Sequence, residues 1–209
     1  AIITLNRPES LNALSEEIRV GMRDAITKYG HDNSIGCIVV TGNGRGFCAG
    51  GDVKTMAGRS ARVFEERAEQ IRNSNNIALL MNNVPKPIIG MINGVAVGAG
   101  LSMACACDIR IAATSARFGS GFIKIGLSGD WGGNWTVTRL IGTAKAREMF
   151  FTGDIIDAEE ALRIGLVNKV VPGAELLAAV KATAETICQK GPVAVASAKR
   201  SIRASLETS

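Results

Sequence analysis

The stretch Ile88 to Asp108, IIGMINGVAVGAGLSMACACD, constrains this chain more than any other. Ile88 to Ile92 is an apolar run that reads as a buried strand, and Asn93-Gly94 is a strong turn signal. Gly98-Ala99-Gly100 then bends the chain into a helix of small apolar residues that reaches Cys107. The first N–H groups of a helix have no intrahelical partner, and the macrodipole places partial positive charge there. A tight glycine bend that opens a helix is therefore a donor for an anionic oxygen. The same glycines also suit a buried helix packed closely on its neighbours, and this stretch alone leaves both readings open.

Elements of both kinds alternate along the 209 residues, which points to an α/β fold with one buried core. A net charge of +5 without a dense Lys/Arg run gives no nucleic-acid signature; it suits a phosphorylated small molecule. No apolar run reaches the length of a membrane span, and no signal peptide is visible. The chain starts inside a strand without Met, so the native N-terminus is expected to lie upstream. The five cysteines are odd in number and several sit in apolar runs, as expected of reduced thiols in a cytoplasmic protein. His31 is the only histidine, which argues against a Cys/His metal site and against a Ser-His-Asp hydrolase.

In chain order, Ile2 to Leu5 reads as a strand, and Ser15 caps an amphipathic helix ending near Gly30. Cys37 to Thr41 is a buried strand leading into a second glycine loop, Gly42 to Asp52. A charged helical stretch, Met56 to Met81, follows; its first residues, Ala57 to Ser60, read as a surface loop. Pro85 to Pro87 ends it. Strands at Ile109 to Ala113 and near Arg117-Phe118 precede a third glycine loop, Phe122 to Gly133, whose single acid is Asp130. Helices from Asn134 to Ile141 and Ala144 to Phe151 come next. Asp157 then caps a short helix, Leu166 to Val171 is a strand, and two helices complete the chain. The order strand, glycine turn, helix recurs from Cys37, from Ile88 and from Ile109.

Gly44 to Ala49 formally fits a dinucleotide fingerprint. Gly50-Gly51-Asp52 prolongs the loop before any helix starts, and no second strand with a terminal acid follows at the required distance, so that reading is rejected. A phosphate loop fails because no Gly-Lys-Ser/Thr closes either loop. What remains is two glycine loops, each after a buried strand, offering the N–H groups of Ala49 and Ala99. Two convergent donors are the parts of an oxyanion hole. A substrate with an acidifiable carbon beside a carbonyl then needs one acid or base, for which Asp130 is the best candidate; its alternative is to cap the helix from Asn134.

Asn6-Arg7-Pro8 with Leu11 to Leu14, Gly46 to Asp52, Asn93 through Gly100 to Asp108, Gly132-Gly133 and Ala158 to Asn168 together resemble the enoyl-CoA hydratase/isomerase (crotonase) family, in order and over essentially the whole chain. The resemblance implies a single crotonase-like domain over residues 1–209. Its spiral of ββα units would occupy about residues 1–140 and a helical region about 141–209, with the C-terminal part incomplete. It implies a homotrimer or a hexamer and an acyl-CoA thioester substrate, with coenzyme A entering as part of the substrate and no tightly bound cofactor. Ala49, Gly50, Gly51 and Asp52 would line the CoA and thioester path, and Arg7 to Leu11 would lie near the adenine.

The departures from the family pattern bear on the reaction. Typical hydratases of the family carry two glutamates that handle water, and here those positions hold Ser102 and Phe122. Asp130 falls where dienoyl-CoA isomerases and aryl-CoA dehalogenases carry a catalytic aspartate. Burial beside Phe122, Trp131 or Trp135 would make it a useful base, although those aromatics suit the core equally well. Ser102, Phe122 and Trp131 are thus expected in the substrate pocket. Dehalogenation also needs a histidine from the loop region, where His31 is not. The reading is an enzyme that isomerises or hydrates an enoyl-CoA; the alternative is an idle relative that binds CoA, a protein or RNA.

Overall fold

The computed structural model describes residues 1–52, 72 and 76–207. Most of the stretch read as Met56 to Met81, including the loop at Ala57 to Ser60, lies outside them. Residues 76–83 are helical, with Ala78 buried and Leu79 exposed.

One sheet holds β1 (Ile2–Leu5), β2 (Ile38–Gly42), β4 (Ile88–Ile92), β6 (Ile109–Ala113) and β9 (Lys169–Val171) in the order β1-β2-β4-β6-β9. Every pairing in it is parallel, with Val39 beside Ile89 and Ile89 beside Ile109. A parallel sheet is covered on both faces, which explains why its inner strands are almost uninterrupted apolar runs. Ile38, Val40, Ile88 and Ile92 face the main apolar cluster. The alternate residues Val39, Ile89 and Ile111 face a second cluster built with Leu176 and Val180.

The second sheet is made of strands too short to show periodicity in the sequence: β3 (Gly46–Cys48), β5 (Val95–Val97), β7 (Arg117–Gly119) and β8 (Ile155–Asp157), in that order. The first three are parallel and β8 is antiparallel to β7. Two of the stretches read as glycine loops thus contain a three-residue strand. From β2, from β4 and from β6 the chain contributes one strand to each sheet before a helix follows, the recurrence seen in the sequence.

Among the described residues the α-helices are α1 (Glu16–His31), α2 (residues 76–83), α3 (Ala99–Ala106), α4 (Gly133–Thr152), α5 (Ala158–Arg163), α6 (Leu176–Cys188) and α7 (Pro192–Glu207). Ser15 caps α1 by accepting the Ile18 N–H, and Asp157 caps α5 by accepting the Glu160 N–H at 2.8 Å. α4 is broken at Gly142, at φ 76° and ψ 163°, so it is two helices meeting there, as the sequence led one to expect, close to the division at about residue 140; β8 and β9 from beyond that point complete the two sheets.

Candidate active site

β3 and β5 run side by side in the same direction, so Ala49 to Asp52 and Gly98 to Gly100 leave the sheet at the same end. Their backbones touch. A Cβ added at Gly100 would lie 2.0 Å from the Cys48 carbonyl oxygen, and one at Gly50 would lie 2.8 Å from Val97 O and 3.3 Å from Ala99 N. Only glycine permits this approach. Gly98 caps α3 without a side-chain bond, and among the described residues no acceptor meets the Ala99 N–H. The dipole of α3 adds partial positive charge at that point.

The expected partner donor is not available. The Ala49 N–H donates to Leu11 O at 2.9 Å, so it is committed within the chain and cannot also hold a substrate oxygen. Leu11 to Leu14 lies alongside this loop: the Leu14 N–H donates to Gly50 O at 2.8 Å, and Leu14 bridges to Gly51. Gly50, at φ +92°, turns the backbone between the two peptides. Among the described residues the Gly51 N–H meets no acceptor. The free donor beside Ala99 is therefore Gly51, two residues on from the one read from the sequence. The Gly50-Gly51 pair was the available signal, since a positive-φ glycine redirects the N–H that follows it.

Asp130 lies in a loop with Gly129 (φ +117°) and Gly132 (φ +68°) on either side. It does not cap α4: Gly132 holds the cap position with no side-chain bond, and Asp130 contributes only its backbone oxygen, which accepts the Gly133 N–H at 2.9 Å. Its Oδ1 is buried and has no hydrogen-bond partner among the described residues. Burial pushes the carboxyl up to about 6, and the positive charge of Arg19 partly opposes that rise. Arg19 is held by Leu14 O at 3.0 Å and by Glu16 at 2.7 Å. Burial pushes the Cys48 thiol up to about 12; the Gly50 N–H that it accepts opposes this, and the Asp130 charge adds to it. Asp130 is thus electrostatically coupled both to the end of β3 and to α1.

Ser102, Phe122 and Trp131 are all buried, and the two aromatics belong to the main apolar cluster. Trp135 stands apart, half-exposed, with the Arg139 guanidinium 3.9 Å from its ring centre.

Arg7 reaches Asp52 and Ala13 O, both at 3.2 Å. Leu11 takes a left-handed conformation at φ 51°. Asn12 was missed as a site-building residue. Fully buried, its side chain donates to Asn43 O and Gly46 O and accepts the Arg7 N–H, joining the first loop to the second. Asn93 donates to Gly44 O and Gly46 O from the other side. An asparagine suits both places because it carries donors and an acceptor on one short arm. A separate cleft of about 300 Å³, between residues 33–36, 85–87 and 187–196, shares no residue with this site.

A sequence model of the enoyl-CoA hydratase/isomerase family matches residues 1–209. The chain belongs to that family. It is 37% identical over 209 residues to a crotonyl-CoA hydratase of Syntrophomonas wolfei, covering 100% of this chain and 79% of the relative. A short-chain-enoyl-CoA hydratase of Clostridium acetobutylicum is also 37% identical, over 99% of this chain and 78% of its own length. Among solved structures, an enoyl-CoA hydratase from Bacillus anthracis superposes with a TM-score of 0.94 at 33% identity, over 100% of this chain and 80% of that one. A monofunctional enoyl-CoA isomerase from M. smegmatis does so at 0.85 and 33% identity, over 100% and 90%. The fold is the crotonase fold, and its spiral of paired strands and helices is the family's.

Proposed function

We propose that this protein shifts the double bond of an enoyl-CoA thioester, with Asp130 carrying the proton and the Gly51 and Ala99 N–H groups holding the thioester oxygen. The observation that carries this reading is the Asp130 carboxyl, whose Oδ1 is buried without a hydrogen-bond partner among the described residues and which burial pushes up to about 6. A carboxylate in that range is a far better base near neutrality than an exposed one and still ionises there. Asp130 takes a proton from C2 of a 3-enoyl thioester. The electron pair spreads onto the carbonyl oxygen, where two N–H groups and the α3 dipole stabilise it. The Asp130 carboxyl exchanges its proton with solvent and delivers one to C4, so the C3=C4 bond is lost, a C2=C3 bond forms, and no water is added to the product. Phe122 and Trp131 give the site its apolar surroundings. The CoA portion lies along Gly50 to Asp52, with its adenine toward Arg7 and Leu11.

The hydratase names of the relatives support a second reading, in which Asp130 alone delivers water to a 2-enoyl thioester. The lack of acids at Ser102 and Phe122 favours isomerisation. A homotrimer or hexamer is in keeping with the exposed apolar Ile123, Ile125, Phe151 and Ile155. A cytoplasmic setting is in keeping with five free thiols.

The test is to incubate 2-enoyl-, 3-enoyl- and aryl-CoA thioesters in D₂O and read the products by mass spectrometry. Deuterium uptake with a moved double bond is expected. A 3-hydroxyacyl product would favour the second reading. Bound thioester with neither exchange nor product would mark an idle CoA-binding relative.

A further inference from the structure

Ser102 occupies one of the two positions where a glutamate was expected of a hydratase, and its surroundings give it another task. The residue is buried in α3. Its Oγ lies 3.4 Å from Gly98 O, the carbonyl that already accepts the Ser102 N–H at 3.1 Å, so the hydroxyl is only loosely bonded. On its other side stands Gly133. A Cβ added there would lie 2.2 Å from Ser102 Oγ and 3.0 Å from Ser102 Cβ. The hydroxyl fills the space that a side chain at 133 would need. Gly133 in turn donates its N–H to Asp130 O at 2.9 Å. Between them lie the buried Trp131 at φ +53° and Gly132 at φ +68°.

We propose that Ser102 is a positioning residue for Asp130: its hydroxyl is the seat on which Gly133 rests, and the height of that seat sets how far the Asp130 carboxylate stands from the Gly51 and Ala99 N–H groups. The proposal rests on the reading of Asp130 as the proton carrier. A larger side chain at 102 in this backbone would push Gly133 away and take Asp130 with it. A smaller one would let the loop settle inward.

The experiment is a rescue. Gly133→Ala places a methyl group against Ser102 Oγ. The expected result is a fall in kcat for deuterium exchange of about 10- to 100-fold, the scale of a misplaced catalytic group. KM stays within about two-fold, and the acid limb of the pH–rate profile moves. Ser102→Gly/Gly133→Ala leaves the new methyl with the 102 Cα at 3.6 Å, an ordinary contact, as its nearest neighbour there. The double variant is expected to regain kcat to within about three-fold of the parent and to restore the limb. A folded Gly133→Ala enzyme with lowered Tm but parental kcat and pH limb would overturn the proposal. So would a folded double variant without recovery. If Gly133→Ala does not fold, Ser102→Cys tests the same point by raising the seat with a larger atom, and unchanged kcat and limb there would overturn it. Asp130→Asn is measured alongside: full turnover by that variant would refute the Asp130 reading itself, whatever the others do.

Discussion

Lys199 Nζ donates to Asp108 Oδ2 at 2.8 Å, pinning the terminal helix to the turn between α3 and β6. The same ammonium donates to Met81 O at 2.9 Å and Lys86 O at 3.0 Å, and Asp108 also accepts the Ile88 N–H at 2.7 Å. The lysine side chain is only 9% exposed. Lys199→Met removes the charge, keeps most of the stem and leaves three acceptors short of a donor. A loss of about 1–3 kcal/mol in urea unfolding is expected, the scale of hydrogen bonds to a charged group. The exchange rate of the folded enzyme should change little, because none of these atoms adjoins Asp130.

Asp130 links activity to pH and trades against stability. As the proposed base it must be ionised, so turnover should rise with pH through about 6 and level off above it. The sign for stability is the reverse. Its carboxyl holds a proton more tightly in the folded chain than in the unfolded one. The folded state is therefore favoured most below the ordinary carboxylate range and loses stability as pH rises through about 6. Asp130→Asn should abolish exchange and raise stability at pH 7 by about 1–3 kcal/mol. That gain should vanish near pH 3.5. Denaturant titrations at the two pH values check it.

Gly100→Ala sets helix propensity against packing. In an open helix interior the exchange gains about 1 kcal/mol. Here the added Cβ would lie 2.0 Å from Cys48 O, a backbone atom that cannot rotate away. The loops must separate, and the clash should outweigh the propensity. Net destabilisation of about 1–3 kcal/mol is expected, with loss of at least about ten-fold in kcat as the Gly51 and Ala99 N–H groups are driven apart. Chemical denaturation and exchange kinetics on the same sample give both numbers.

The five thiols should separate cleanly in their reactivity. Cys37, Cys48, Cys105 and Cys107 are buried, and burial pushes them up to about 11, 12, 11 and 12 respectively. Cys188 is exposed. One thiol per chain should react quickly with an aromatic disulfide at pH 7.5, and all five once the protein is unfolded in denaturant. Rapid titration of more than one in the native state would contradict the packing of the sheet.

The sequence by itself determined the strands of the large sheet, the helix caps at Ser15 and Asp157, and the order of motifs that marks the family. These depend on periodicity, turn chemistry and capping, which act over a few residues. It also marked the two glycine loops and Asp130 as the parts of a site. Only the tertiary structure decided which N–H groups are free. Ala49 and Gly51 look alike along the chain, and what separates them is the Leu11 to Leu14 segment, which comes alongside and takes the Ala49 donor. The second sheet was hidden but for the strand near Arg117-Phe118, for a related reason: a three-residue strand exists only when its neighbours arrive to pair with it. The close approach of Gly133 to Ser102 and the buried, unpartnered Oδ1 of Asp130 belong to the same class. A local preference is written in the residues that have it. A hydrogen-bond partner, a clash or a desolvated charge depends on which distant segment the fold brings near.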